Sequence, residues 1–343
     1  MSEQADSREQ VAMHKADHVE RPWYLRGGMR VTERGAVMTT LVPPILLAAT
    51  LLVKPTAVLA AVALTVISCV IGLVTTHNVY AGIILPVYQL SALLSLLMPN
   101  TVLLCVLAAG VGVFKVGVCM SVCLHRYAAH AAFHCHWATN LFLGALGCLA
   151  NQGGPIWWAS QHRTHHKFCD EERDPHSSLQ TSVVSAFAFF SRDNLKDVEE
   201  EFAPKHCDTF GMRLIDTFSI LPVMAEFVLS YYYFGAPGLF VAYTSGWLSQ
   251  TLSLWFNVVN HPPSVPGKCK AADSVGSFKL PNLFFRLFSL FMWIGVVNGE
   301  GEHGHHHDHP QLAHRPGIDL PYHVFVNPLS SIGLIWNCKV KGR

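Results

Sequence analysis

Three groups of histidines carry the most conspicuous chemistry in this sequence. His125-Arg-Tyr-Ala-Ala-His130 spaces two imidazoles as HxxxxH, while His162-Arg-Thr-His165-His166 and His303-Gly-His-His306-His307 both read HxxHH. On a helix, positions i, i+3 and i+4 share a face, so each HxxHH is expected to aim three imidazoles at one point. Imidazole suits iron, zinc and copper, and a neutral ring binds metal through one nitrogen while a hydrogen bond orients the other. Eight histidines exceed what a single metal can take, so two metals are expected. A carboxylate-rich metal pair needs repeated Glu-x-x-His motifs and further glutamates on facing helices. That form occurs in one segment alone, at Glu300-x-x-His303 and the overlapping Glu302-x-x-His305, which favours a nitrogen-rich site.

The elements that must position these boxes are apolar. Of 343 residues, 51% are hydrophobic and 14% charged, a balance that points to a membrane protein. Lys plus Arg (24) against Asp plus Glu (23) leaves a net charge of +1, so no basic excess exists to grip nucleic-acid phosphates. The ten cysteines are scattered without a CxxC pair and read as small core residues, not a disulfide framework.

Residues 1–36 form a polar tail without a signal-peptide pattern. From Val37 to Leu124 the chain is almost uncharged and divides at Lys54-Pro55, at 75–78 and at Pro99-Asn100 into runs near 37–53, 57–75, 81–97 and 101–124. Two more runs, 214–234 and 239–259, are separated by Gly235-Ala236-Pro237-Gly238. Each approaches the ~20 residues needed to cross the bilayer, giving six spans in three hairpins, with Pro43 and Pro44 interrupting the first. The domain reading is a tail (1–36), apolar hairpins (37–99) and a core (100–343) holding all three boxes. Positive charge collects in the tail, in 125–213 and after 260, so all three boxes are expected on the cytoplasmic side. The shorter apolar pieces 137–150 and 281–297 suit helices lying in the interface, and 168–212 a soluble cap. Lys115, inside the fourth run, is expected to snorkel to the headgroups.

Taken together, the boxes and their surroundings resemble the membrane-bound fatty-acid desaturases, whose best-known members are the stearoyl-CoA Δ9 enzymes. The resemblance rests on the box spacings, on Gly153-Gly154-Pro155-Ile156-Trp157-Trp158-Ala159-Ser160-Gln161-His162, on Phe168-Cys169-Asp170 and on Arg173-Asp174-Pro175-His176-Ser177. Gly299-Glu300-Gly301-Glu302-His303 and Gly333-Leu334-Ile335-Trp336-Asn337 extend it over roughly residues 100–340. The second box and its flanks resemble the cyanobacterial and plant branch more than the animal one. Ser160-Gln161 stands where the animal enzymes carry Arg-Asp, and Gly304-His305 replaces the usual residues inside the third box.

The resemblance implies an all-α membrane fold of four to six spans with a cytoplasmic helical cap. It also implies two irons held by nine histidines and one asparagine acting through water. Asn257-Val-Val-Asn-His261 matches the family's Asn-xxx-His element, so the implied set is His125, His130, His162, His165, His166, Asn257, His261, His303, His306 and His307. Trp158 matches a residue that shapes the bend of the acyl tunnel. Asp170, Asp174 and Glu300 are candidates for orienting the imidazoles from behind. The implied reaction takes O₂ and two electrons and leaves a cis double bond, by the Δ9 pattern, in an acyl chain carried by CoA or lipid. With no dinucleotide fingerprint in a strand-to-helix context and no haem-domain His-Pro-Gly-Gly element, the electron donor is expected to be a separate protein such as cytochrome b5 or a ferredoxin. Lys339-Val-Lys341-Gly-Arg fits an endoplasmic-reticulum retrieval tail and tilts the location towards that membrane, with a bacterial inner membrane as the alternative.

Two other functions compete. Related membrane hydroxylases and sterol-type oxidases use the same metals but usually open with HxxxH, one residue shorter than the first box here. A histidine-rich metal transporter should carry His and Asp inside its spans, whereas these boxes lie at or beyond the span ends.

Overall fold

The computed structural model describes residues 101–171, 173–175, 198–261, 295 and 297–340, with four helical positions at 63, 66, 67 and 70. The runs expected at 37–53, 57–75 and 81–97, and nearly all of 281–297, lie outside the described residues. Within them the protein is helical, with a single two-stranded pairing.

Helix α1 (Thr101–Phe114) runs directly into a π-helical segment, Lys115–Ala129, whose residues are all buried. Together they give Val102–Ala129, the one helix among the described residues long and apolar enough by itself to cross a membrane. After it, β1 (His134–Cys135) pairs antiparallel with β2 (Ile335–Trp336), tying a C-terminal segment against the loop that ends the first box. Helix α2 (Trp137–Cys148) is the short apolar piece expected at 137–150, and it leaves Trp137 and Phe142 exposed. Helix α3 (Pro155–Phe168) carries the second box and starts with proline at its first position, where the missing N–H costs nothing. Its open N-terminus is capped from afar: Asp216 Oδ1 accepts the Trp157 N–H at 2.8 Å. Gly154 makes that approach possible, since a Cβ there would fall 2.3 Å from the same oxygen.

Helices α4 (Phe210–Thr217) and α5 (Ile220–Asn260) follow. The expected break at 235–238 is present as a kink at Gly235 (φ 63°, ψ −151°), two residues before Pro237. The expected start of that run at 214 is corrected, because α4 and the first limb of α5 meet at 64°. The cause is polar. Thr209 caps α4 by accepting the Met212 N–H, Arg213 donates to Asp208 at 2.6 Å, and Asp216 is committed to α3. A segment holding these groups stays out of the apolar run. Helix α6 (His303–Asp308) carries the third box, and α7 (Asn327–Ser331) precedes β2.

Two further expectations change. Lys115 does not snorkel: it is 2% exposed, its Nζ lies 2.8 Å from Glu226 Oε1, and it also donates to the Ala242 carbonyl at 3.3 Å. Glu226 stands on the first limb of α5 and Ala242 on the second, so the charge is neutralised inside the bundle. Among the cysteines, 105, 119, 123, 135, 148, 207 and 338 are free as expected. Cys169, however, is disulfide-bonded, with a partner outside the described residues.

Candidate metal centre

The nine histidines singled out from the sequence converge, but not as three per box. His125, His130, His162, His166 and His306 form one cluster whose donor nitrogens lie within 4.8 Å of one another. His165, His261, His303 and His307 form the other: the Nε2 atoms of His261 and His303 are 3.0 Å apart, and ring centroids are 4.8 Å apart for His165 and His261 and for His303 and His307. Each HxxHH box is therefore split between clusters, which corrects the expectation that it aims at one point. At ~100° per residue, positions i and i+4 differ by ~40° while i+3 lies ~60° to the other side. So His162 and His166 face the first cluster and His165 the second, while on α6 His303 and His307 face the second and His306 the first. The stacked rings of His166 and His307, 4.3 Å apart, join the two.

The first box works differently. Residues five apart on an α-helix point ~140° away from each other, yet His125 and His130 share a cluster. The π-helical segment resolves this, because its wider i→i+5 turn swings residue i+5 back towards the face of residue i. The His130 N–H donates to the His125 carbonyl at 3.1 Å, closing such a turn at the box itself.

The nitrogens meet as metal ligands would. In the first cluster, Nε2 contacts run His130–His162 3.0 Å, His162–His166 3.1 Å, His166–His306 2.9 Å and His306–His125 2.8 Å. A neutral imidazole nitrogen gives one hydrogen or accepts one, so at most two of these four contacts can be hydrogen bonds. The others bring together nitrogens that share no hydrogen, a close approach that a cation between them would relieve. For a metal with ~2.1 Å bonds to nitrogen, adjacent ligands at right angles are separated by ~3 Å, the spacing seen. Burial first, then neighbouring charged groups, holds His130, His162, His166, His303 and His306 well below the ordinary imidazole range, so their lone pairs are available. The residues fit a metal pair.

Carboxylates stand behind the rings. Asp174 Oδ2 is 2.9 Å from His165 Nδ1, Glu300 Oε1 is 3.3 Å from His125 Nδ1, and Asp170 Oδ2 is 3.5 Å from His261 Nδ1. Each favours the tautomer with hydrogen on Nδ1 and the Nε2 lone pair facing inward. Asp174 also accepts the Asp170 N–H at 2.7 Å, which holds Asp170 in the left-handed region at φ 62°, where a non-glycine residue is strained. Glu300 accepts from Ser121 Oγ at 2.5 Å and lies 3.8 Å from Arg126. Burial alone would raise its pKa, but His125, Arg315 and Arg126 hold it well below the usual carboxylate range.

Trp158 is 4% exposed; its ring stacks on His162 at 4.8 Å and its Nε1 donates to Gln152 Oε1 at 3.0 Å. Asn257 lies on α5, and its side chain is outside the described residues. His305 pairs with His309, ring centroids 4.7 Å apart, outside both clusters. Cys169 Sγ comes within 3.7 Å of His261 Nδ1, but a disulfide sulfur has no thiolate to offer a metal.

Two features go beyond the sequence reading. Gln152 fixes Trp158, and its only signal is a polar residue in the Asn151-Gln152-Gly153-Gly154 loop. Arg126, fully buried, donates to Asp319 Oδ2 and the Ala313 carbonyl, both at 2.8 Å, and to the Asn298 carbonyl at 2.9 Å. It braces the first box against the segments on both sides of the third.

Comparison with known proteins gives a consistent family. Residues 99–316 match the model of the fatty acid desaturase family. A chloroplast protein of Arabidopsis thaliana named as a probable lipid desaturase is 30% identical over 239 residues, covering 66% of this chain and 62% of its own length. The icosanoyl-CoA 5-desaturase of Limnanthes douglasii is 29% identical over 239 residues, 64% of this chain and 61% of its own length. The sn-1 stearoyl-lipid 9-desaturase of Anabaena variabilis is 28% identical over 235 residues, 66% of this chain and 80% of its own. The match thus spans about three fifths of the first two relatives.

Proposed function

The chain belongs to the fatty acid desaturase family, and from that premise we propose that it places a cis double bond in a saturated fatty-acyl chain at a di-iron centre. The observation that carries the reading is the gathering of nine histidines about two points: five with donor nitrogens within 4.8 Å of one another, and His165, His261 and His307 beside Cys169, joined by His303 through its 3.0 Å Nε2 contact with His261. His125, His130, His162, His166 and His306 would hold one iron; His165, His261, His303 and His307, with Asn257 through water, the other. Bound there, the irons would supply O₂-dependent oxidation of an unactivated methylene pair.

The protein's own residues do the rest. Asp174, Glu300 and Asp170 stand at the Nδ1 atoms of His165, His125 and His261 and aim the rings. An alkyl chain offers no polar handle, so the bond's position must come from the shape of its path and from contacts to its carrier. Trp158, locked by Gln152 beside His162, is suited to set that bend, and we assign it this role. Relatives named for CoA thioesters and for lipids support an acyl substrate on one of these carriers, and Δ9 is the position we propose. A membrane setting is supported by the family and by Val102–Ala129. The fuller topology we propose has a tail at 1–36, hairpins at 37–99 and a core at 100–343. It comprises six spans with the metal centre on the cytoplasmic side of the endoplasmic reticulum. The electron donor is a separate cytochrome b5 or ferredoxin.

The test is fatty-acid analysis, with double-bond location by mass spectrometry, of desaturase-deficient yeast expressing the chain beside its His306→Ala variant. A new monounsaturated acid seen only with the intact protein is expected. A hydroxylated acid would move the protein to the hydroxylases, and a purified protein holding zinc without iron would overturn the reading.

A further inference from the structure

Two histidines of the third-box helix belong to neither cluster. His305 and His309 are four residues apart, and the His309 N–H donates to the His305 carbonyl at 2.9 Å, so one helical turn joins them. Their ring centroids are 4.7 Å apart. Two other pairs with this i, i+4 spacing lie inside the clusters: His162 and His166 at 4.6 Å, and His303 and His307 at 4.8 Å. In the first of these the Nε2 atoms come within 3.1 Å of each other. The outer pair thus has the ring spacing of two pairs that face a metal position.

We propose that His305 and His309 form a third, outer metal site, which takes a divalent transition-metal ion from solution and feeds it to the two clusters. The proposal rests on the functional reading only in treating those clusters as metal sites. Position on the helix separates the outer pair from them. Around α6, His309 stands ~40° from His305, whereas His303 and His307 stand ~160–200° away. His303 and His306 are buried, while His305 is half-buried and His309 exposed. An ion bound for either cluster has to come from outside, and α6 carries ligands of both, His306 for the first and His307 for the second. The outer pair stands on the solvent side of that shared element.

The donor set selects the ion. Two imidazoles suit Fe²⁺, Zn²⁺ and Cu²⁺, whereas Mg²⁺ and Ca²⁺ prefer oxygen. Glu302, at the start of α6, and the exposed Asp308, at its end, add negative charge that draws a cation. Arg315 is 1% exposed and donates to the His309 and Pro310 carbonyls at 3.3 and 3.5 Å, so it fixes the turn after His309 from the core side. With two protein ligands the remaining positions fall to water, which leaves the ion open to exchange. Exchange is what a site that passes its ion onward requires.

The experiment loads metal-free, full-length protein with Fe²⁺ under anaerobic conditions beside its His309→Asn and His305→Asn/His309→Asn variants. Total bound iron is counted by equilibrium dialysis, and filling of the clusters is followed as iron that resists a chelator. The intact protein is expected to bind about three ions per chain and each variant about two, with unchanged unfolding temperatures. Below saturation, chelator-resistant iron should accumulate ~10-fold more slowly in the variants, because they no longer hold an ion close to the clusters. Equal counts in all three proteins overturn the proposal. So does a third ion lost from the variants with no change in the filling rate, since the pair then binds an adventitious ion only. Clusters that hold zinc and refuse iron would sink the desaturase reading by itself, while the same count and filling rate taken with Zn²⁺ still decide the outer site.

Discussion

In the first cluster, His125 leans on Glu300, Glu300 on Ser121, and the neighbouring Arg126 on Asp319 and two carbonyls. Every member of that chain is buried, and the contacts tie residues 121–126 to residues 298–319. In the second cluster, His165 and His261 lean on Asp174 and Asp170, which come from one turn just past α3, where the Asp170 N–H donates to Asp174 Oδ2. The first cluster's carboxylate is tied to buried cations and a hydroxyl, whereas the second cluster's two carboxylates share one turn. The difference separates two roles of a carboxylate behind a metal ligand: in the second cluster it orients a ring, and in the first it also closes a charge network on which folding depends.

The largest expected effects come from removing imidazoles. His306→Ala and His303→Ala should each abolish desaturation and lower iron from about two per chain to about one, read by metal analysis of purified protein. Loss of both irons from either variant would show that the clusters do not fill independently. Next come the braces. Replacing one partner of a buried ion pair costs ~3–5 kcal/mol, so Asp319→Ala should lower the unfolding temperature sharply even without metal. Asp174→Asn, which keeps the side chain's size and an acceptor oxygen, should lower the metal-free unfolding temperature less than Asp319→Ala while weakening iron retention against a chelator ~10–100-fold. Equal thermal losses in the two variants would erase the contrast.

Protonation gives a smaller and graded effect. Burial holds the folded-state pKa values of His130, His162, His166, His303 and His306 well below the ordinary imidazole value. Below pH ~6.5, where a free imidazole protonates, the unfolded chain therefore binds more protons than the folded one, and stability falls as pH falls. Each histidine that stays neutral costs up to ~1.4 kcal/mol per pH unit in that window. Metal-free protein should unfold at lower temperature at pH ~5.5 than at pH ~7.5, and iron should narrow the gap by withholding the lone pairs from protons. A flat profile would mean that the rings are less buried than the structure has them.

Legibility in the sequence is confined to groups that lie close along the chain. The HxxHH boxes, the carboxylates beside them and the break at Gly235 are local patterns, and the structure brings the nine histidines and three carboxylates together. The split of each HxxHH between two clusters follows from helical angles but needs two helices docked before it shows. The convergence of HxxxxH depends on a π-helical segment, for which composition offers no signal. The Arg126–Asp319 pair joins residues 193 positions apart, beyond the reach of spacing. The snorkelling expected of Lys115 fails for the same reason, because its partner stands 111 residues away.

That last pair yields the smallest expected effect, and it extends the contrast to the apolar bundle. Lys115 joins the helix leading to His125 and His130 to both limbs of α5, the helix that ends beside His261. Lys115→Met would leave Glu226 buried without its counter-charge. With 17% of its side chain exposed, Glu226 can take up a proton, so the loss should fall below the ~3–5 kcal/mol of a sealed pair. In the double variant Lys115→Met/Glu226→Leu both charges are gone and apolar volume replaces them, a change that is often neutral or stabilising. Thermal unfolding should therefore rank the double variant level with or above the original protein and the single variant below both, with iron content unchanged in all three. If the double variant unfolds early and loses iron, the pair does more than neutralise charge: it sets the distance between the helices that carry the two clusters.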